Sequence, residues 1–144
     1  MLTQNVQIVL PPHVNADNRL FGGQLMSWID VVAAVEARRH ARAQVTTLAV
    51  DHLRFIYPAF LNDMIRMDAQ VTWTGHTSLE VRVDTYVEPL TGESRLVNCA
   101  YIVFVALDEY GNPTPVPKFE PRTDEEKSEW ERAEERRAMR LKDD

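Results

Sequence analysis

The sequence predicts an α+β fold: one domain in which a long central helix is wrapped by an antiparallel sheet of about five strands, with a charged helix at the C-terminus. Three observations predict it. The chain has 144 residues, the commonest size for a single domain. From Gly23 to about His40 there is no proline and no interior glycine, and the run from Leu25 to Val35 is apolar nearly all the way round, which describes a buried helix. Segments rich in β-branched and aromatic residues then follow one another, punctuated by turn residues.

Taken in order, residues 4 to 10 alternate partly and stop at Pro11 and Pro12, which remove ladder donors, so a short first strand is expected. Residues 11 to 21 hold Pro, His, Asn and Asp, the residues of an ordered loop. The central helix follows and closes on Arg38, Arg39 and His40, cations suited to the negative end of a helix dipole. Residues 44 to 57 alternate through Val45, Thr47, Ala49, Asp51, Leu53 and Phe55 as a long strand ending at Pro58. Three more strands are expected at about 64 to 74, 77 to 88 and 95 to 107, separated by Gly75-His76 and by Pro89 to Gly92. Their short connections favour hairpin-like antiparallel pairing.

From Thr123 onward an N-cap candidate is followed by acids and then bases, the charge order of a surface helix. Its apolar residues Trp130, Ala133, Ala138, Met139 and Leu141 form only a thin stripe, so it reads as solvated, with a tether or subunit contact as the alternative. The chain thus divides into a domain over residues 1–120 and a helical tail over 121–144.

Composition excludes several classes. Hydrophobic residues at 44% and charged residues at 26% are those of a globular protein. A net charge of −6 argues against a nucleic-acid binder, which needs clustered cations. Cys99 is the only cysteine, so no intrachain disulfide or two-cysteine zinc pattern is possible, and its apolar strand setting marks it for packing. No segment has the length of an apolar membrane span and Met1-Leu2-Thr3-Gln4 lacks the features of a signal peptide, so the cytoplasm is expected. His13, His40, His52 and His76 are dispersed without metal-ligand spacing, and no metal is expected. Trp28 and Trp73 read as core residues.

Chemistry concentrates on the helix. Asp30 is the only charge between Leu25 and Val35, and an ionised carboxylate there needs hydrogen bonds or a cleft. It shares a helical face with Ser27 and Gly23, and the stripe begins at Gly22-Gly23, where unpaired first-turn N–H groups could hold an oxyanion. An acyl carbonyl placed on those amides would have its carbon within reach of Asp30, as general base on water or as direct nucleophile. The alternative is a structural carboxylate that caps or pairs across an interface. Arg54, on its strand, could reach a phosphate as a bidentate donor or form a surface ion pair.

The segment from Pro12 to Asp30, with Asn15, Phe21-Gly22-Gly23, Leu25-Met26, Trp28 and Ile29, resembles the signature of the acyl-CoA hydrolases of the hotdog superfamily. The likeness continues through Val50-Asp51, Phe55, Pro58, Asn62-Asp63, Gly75 to Ser78 and Phe104 to Pro117, and so spans roughly residues 8 to 118. It implies a hotdog-fold acyl-CoA thioesterase that needs no cofactor, coenzyme A being part of the substrate. By that resemblance Asp30 is the catalytic carboxylate and Asn15 its companion from the opposite protomer of a homodimer, with trimers or pairs of dimers as further assemblies. Gly22 and Gly23 would polarise the thioester carbonyl, Thr77 and Ser78 would lie near the coenzyme, and Arg19 beside the site could meet a coenzyme phosphate. Asn18 and Asn62 stand where many members carry glycine, and asparagine tolerates the left-handed conformation best after glycine. Two other classes share the fold: a hydratase, for which a histidine is missing at the helix start, and a non-catalytic acyl-CoA sensor, against which Asp30 and Asn15 both stand.

Overall fold

A computed structural model describes residues 2–143. Five strands, β1 (Leu2–Ile8), β2 (Gln44–Phe55), β3 (Met64–Thr74), β4 (Ser78–Glu88) and β5 (Arg95–Leu107), form one antiparallel sheet in the order β1-β3-β4-β5-β2. Helix α1 (Gly22–Ala41) lies across one face and contacts all five strands, and α2 (Asp124–Asp143) lies on the other face. This is the hotdog plan. The core forms where Leu25, Ile29 and Val32 of α1 meet Ile65, Met67, Val83 and Phe104 of the sheet.

The three later strands appear at the expected positions and pair through their short connections, whereas the expected end of the first strand is corrected. β1 ends at Ile8 rather than Leu10, although the Val9 N–H still donates to Asp63 and its carbonyl accepts from Asn62. β2 does not pair with β3. Its segment after Phe55 turns at Pro58 and crosses the helix start, so β2 sits at the sheet's edge with β5 as its neighbour. Among the described residues its outer edge has no partner.

The central helix is buried on one face only. Leu25, Ile29, Val32, Ala33, Glu36 and Ala37 face the sheet, while Val31 is 59% exposed and Val35 also meets solvent. The all-round apolar pattern therefore serves two surfaces, one of which this chain leaves open. Asn18 and Asn62 adopt φ of 60° and 73°, so asparagine does hold the left-handed turns at both positions.

The reading of α2 as a solvated helix is also corrected. Its N-terminus is closed by a capping box in which Thr123 Oγ1 accepts from the Glu126 N–H and Glu126 Oε1 accepts from the Thr123 N–H. The face turned to the sheet consists of Glu129, Ala133 and Arg136, all buried, with Arg140 half-buried below them. Arg136 donates twice to Glu80, Glu129 meets Arg82 and the Tyr101 hydroxyl, and Glu134 accepts from the Trp73 indole. The helix packs through charges that the sheet complements, while the apolar Met139 and Leu141 point outward.

Candidate active site

Asp30 sits on the open face of α1 and is exposed. Its Oδ1 accepts a 2.8 Å hydrogen bond from the Thr47 hydroxyl on β2, which fixes one carboxylate oxygen and leaves the other free. Asp30 thus has the hydrogen bond and the exposure that its apolar setting calls for, and the buried charge of the helix is Glu36, 2% exposed. Burial pushes the Glu36 carboxyl above its usual value, against hydrogen bonds from Thr3 Oγ1 and from the Val71 N–H freed by a bulge in β3. Glu36 continues the Leu25, Ile29, Val32 stripe at helical spacing.

Thr47 is the site residue that sequence reasoning passed over, since a threonine in a strand is ordinary. Its signal was position: it faces the helix from the edge strand opposite Phe104, whose side chain is core. The register places Thr47, Phe104 and Leu79 in one row across β2, β5 and β4. Thr77 and Ser78 at the start of β4 therefore lie at the same end of the sheet as Thr47, roughly 10 Å away at two strand spacings.

A second group of residues gathers at the N-terminal end of α1. Asn15, Arg19, Leu20, Gly22 and the segment from Phe55 to Pro58 line an open groove of about 420 Å³. Asn15 is held by its own loop: its Oδ1 accepts from the Asp17 and Arg19 N–H groups at 2.9 and 3.2 Å, so its Nδ2 is the atom left to donate outward. Arg19 stacks over the Phe60 ring at 5.7 Å. Phe21 caps α1 without a side-chain acceptor, and among the described residues the Gly22 and Gly23 N–H groups have no partner. A Cβ at Gly23 would come within 2.6 Å of the Phe21 ring, so glycine there lets the chain enter the helix with Phe21 folded over it.

The two groups do not meet within one chain. From Gly23 to Asp30 the helix rises roughly 10 Å, and first-turn N–H groups point away from Asp30, toward the N-terminus.

Arg54 is placed elsewhere. It is exposed on the α2 side of the sheet, in a groove with His52, Ile56, Leu96, Arg132 and Met139, and only Ile56 borders both this groove and that of Asn15. Trp28 packs against the core and meets His13 edge-on, while Trp73 is buried beneath α2 against Trp130. Burial beside Asp84 pushes the Cys99 thiol up to about 12, the mark of an inert packing residue. Among the described residues no three His, Cys, Asp or Glu side chains are grouped to hold a metal ion, and no helix is long and apolar enough to cross a membrane.

The thioesterase superfamily model matches residues 17–93. A Bacillus subtilis protein described as an uncharacterized acyl-CoA thioester hydrolase is 43% identical over 119 residues, covering 82% of this chain and 69% of that one. The acyl-CoA hydrolase of Staphylococcus aureus, solved with butyryl coenzyme A, coenzyme A and coenzyme A disulfide, superposes with a TM-score of 0.90 at 34% identity, covering 99% of this chain and 90% of that one. An apo-hexameric acyl-CoA thioesterase superposes with a TM-score of 0.92 at 39% identity, covering 98% and 91%. The Staphylococcus enzyme has also been solved with an aspartate, an asparagine or a threonine changed to alanine, and those three are spaced along its chain as Asp30, Asn15 and Thr47 are here. The chain belongs to the thioesterase superfamily, as a hotdog-fold acyl-CoA thioester hydrolase.

Proposed function

We propose that the active site is built between two protomers, with Asp30 of one facing Asn15 and the helix-start amides of the other. The observation that carries this is the separation of the two half-sites within a single chain. Each half-site lies beside surface that a second copy can cover: exposed Val31 and Val35 next to Asp30, and the unpaired edge of β2 with Leu48 61% exposed. A two-fold partner docked there makes two equivalent sites at once. Hexameric neighbours with the same fold support further association of such dimers.

In this site the thioester carbonyl oxygen lies on the Gly22 and Gly23 N–H groups, and Asn15 Nδ2 donates to the carbonyl or to the attacking water. The free oxygen of Asp30 takes the proton from that water as it adds to the carbonyl carbon. Collapse of the tetrahedral intermediate breaks the C–S bond, and the coenzyme thiolate leaves and is protonated, giving a carboxylic acid and free coenzyme A. Thr47 holds the Asp30 carboxylate in line by its hydrogen bond. Arg19 beside the groove, Thr77 and Ser78 at the β4 end and, more remotely, Arg54 are the candidates for coenzyme contacts. No cofactor is required beyond the coenzyme that the substrate carries, the domain over residues 1–120 holds all of these groups, and a reducing cytoplasmic setting suits the single cysteine.

Thiol release from short, medium and long acyl-CoAs tests this reading with Asp30→Ala and Asn15→Ala checked for unchanged fold and assembly. Loss of turnover by about a hundredfold or more in Asp30→Ala supports the base. Wild-type turnover in that variant sinks it.

A further inference from the structure

β2 is the least supported strand that carries a site residue. Only β5 pairs with it inside the chain, and its ladder is broken twice, between Thr47 and Ala49 and between Asp51 and Arg54. The first bulge, at Leu48, has a consequence for facing. Thr47 and Asp51 are four residues apart and in an unbroken strand would point the same way. With one residue inserted, Thr47 stands opposite the core residue Phe104 and turns to α1, while Asp51 stands opposite Tyr101 and turns to α2. His52, at φ 50°, forms the second bulge immediately after.

Helix α2 reaches this bulged segment. It crosses the outer face of the sheet, tied to β3 through Glu134 and Trp73, to β4 through Arg136 and Glu80, and to β5 through Glu129 and Tyr101. Its last tie is from Arg140 Nη1 to Asp51 Oδ2 at 2.7 Å, with both side chains about four-fifths buried at 19% and 21% exposure. The bulged stretch of β2 is thus gripped from both sides, by Asp30 through Thr47 and by α2 through Asp51. We propose that Arg140 is a positioning residue for catalysis: its ion pair with Asp51 fixes the bulged stretch of β2 so that the Thr47 hydroxyl stays on the Asp30 carboxylate. This rests on Asp30 being the catalytic carboxylate. In a bulged edge strand, rotation of one peptide at Leu48 is enough to swing Thr47 off its acceptor, and misplacement of that order is expensive for a positioned base.

The test measures kcat and KM on the best acyl-CoA of the panel for Arg140→Ala, Asp51→Asn, Thr47→Ala, the double variant Arg140→Ala with Thr47→Ala, and the charge swap Asp51→Arg with Arg140→Asp. Two single variants break the pair from opposite ends, so a folding failure in one leaves the other to decide. The expected result is a kcat loss of about tenfold in Arg140→Ala and in Asp51→Asn with KM nearly unchanged. The double variant is expected to be no slower than Thr47→Ala alone, and the swap to recover most of the rate. Wild-type kcat in both single variants, or a loss that adds in full to that of Thr47→Ala, overturns the proposal. Asp30→Ala is run alongside: if it keeps turnover the catalytic reading has failed, and if it is inactive while Arg140→Ala and Asp51→Asn keep wild-type kcat, only the positioning role has failed.

Discussion

Gly22 and Gly23 look interchangeable in the sequence, yet the structure separates them. A Cβ at Gly22 would make an ordinary 3.9 Å contact with Phe55, whereas one at Gly23 would strike the Phe21 ring. Gly22→Ala is therefore expected to melt at or slightly above the wild-type temperature, because alanine loses less backbone entropy than glycine. Gly23→Ala is expected to keep the fold, since Phe21 is exposed and can swing outward, but to lower kcat/KM by about tenfold or more by disturbing the helix-start amides. Thermal melts and kcat/KM for the two variants check this, and equal activity in both would remove the amides from the mechanism. At this scale the sequence told a partial story. Asp30 stood out as a lone charge among apolar residues, but the same pattern hid Glu36, because a helix with two apolar faces does not say which face is inward. Thr47 was invisible because its meaning lies in a contact with a residue far along the chain.

The elements themselves were legible wherever one face decides the pattern. β3 and β5 alternate or run apolar between clear turns and lie where expected, and Thr123 followed by acids marked the start of α2. What could not be read was what α2 does, because its sheet-facing stripe of Glu129, Arg136 and Arg140 looks like a solvated face until the complementary charges of β2 and β4 are seen. Burial alone would raise the Glu129 carboxyl, but hydrogen bonds from Arg132 and Tyr101 and the charge of Arg82 outweigh it and hold it below the usual carboxylate range. A lowered folded value contributes stability that is present above the unfolded value and is lost as pH falls through the folded one. Glu129→Gln is therefore expected to destabilise the protein by about 1–3 kcal/mol near neutral pH, with the gap narrowing in acid. Denaturant midpoints of wild type and variant across that pH range check it, and a gap that stays constant would show that Glu129 acts by shape alone.

For the whole molecule, the sequence carried the fold class, the central helix and the family resemblance, and that resemblance also implied a site divided between two chains. Apolar surface on α1 and β2 that one chain leaves exposed is the physical trace of a partner. Val31→Lys is expected to weaken assembly at that face, lowering the mass seen by light scattering at dilute concentration and lowering activity with it, while the spectrum of the folded chain persists. A variant that dissociates yet retains full turnover would contradict a shared site.

With Asp30 and Asn15 acting across the dimer, mixing two inactive variants restores an intact site. Asp30→Ala and Asn15→Ala are purified separately, dissociated together and allowed to reassemble. Each mixed dimer then holds one site with both substitutions and one intact site. The mixture is expected to recover about a quarter of wild-type activity under random pairing of two-fold dimers, while each parent alone stays inactive. A mixture that exchanges subunits, as seen by mass, and remains inactive would instead place Asp30 and Asn15 in the same chain's site.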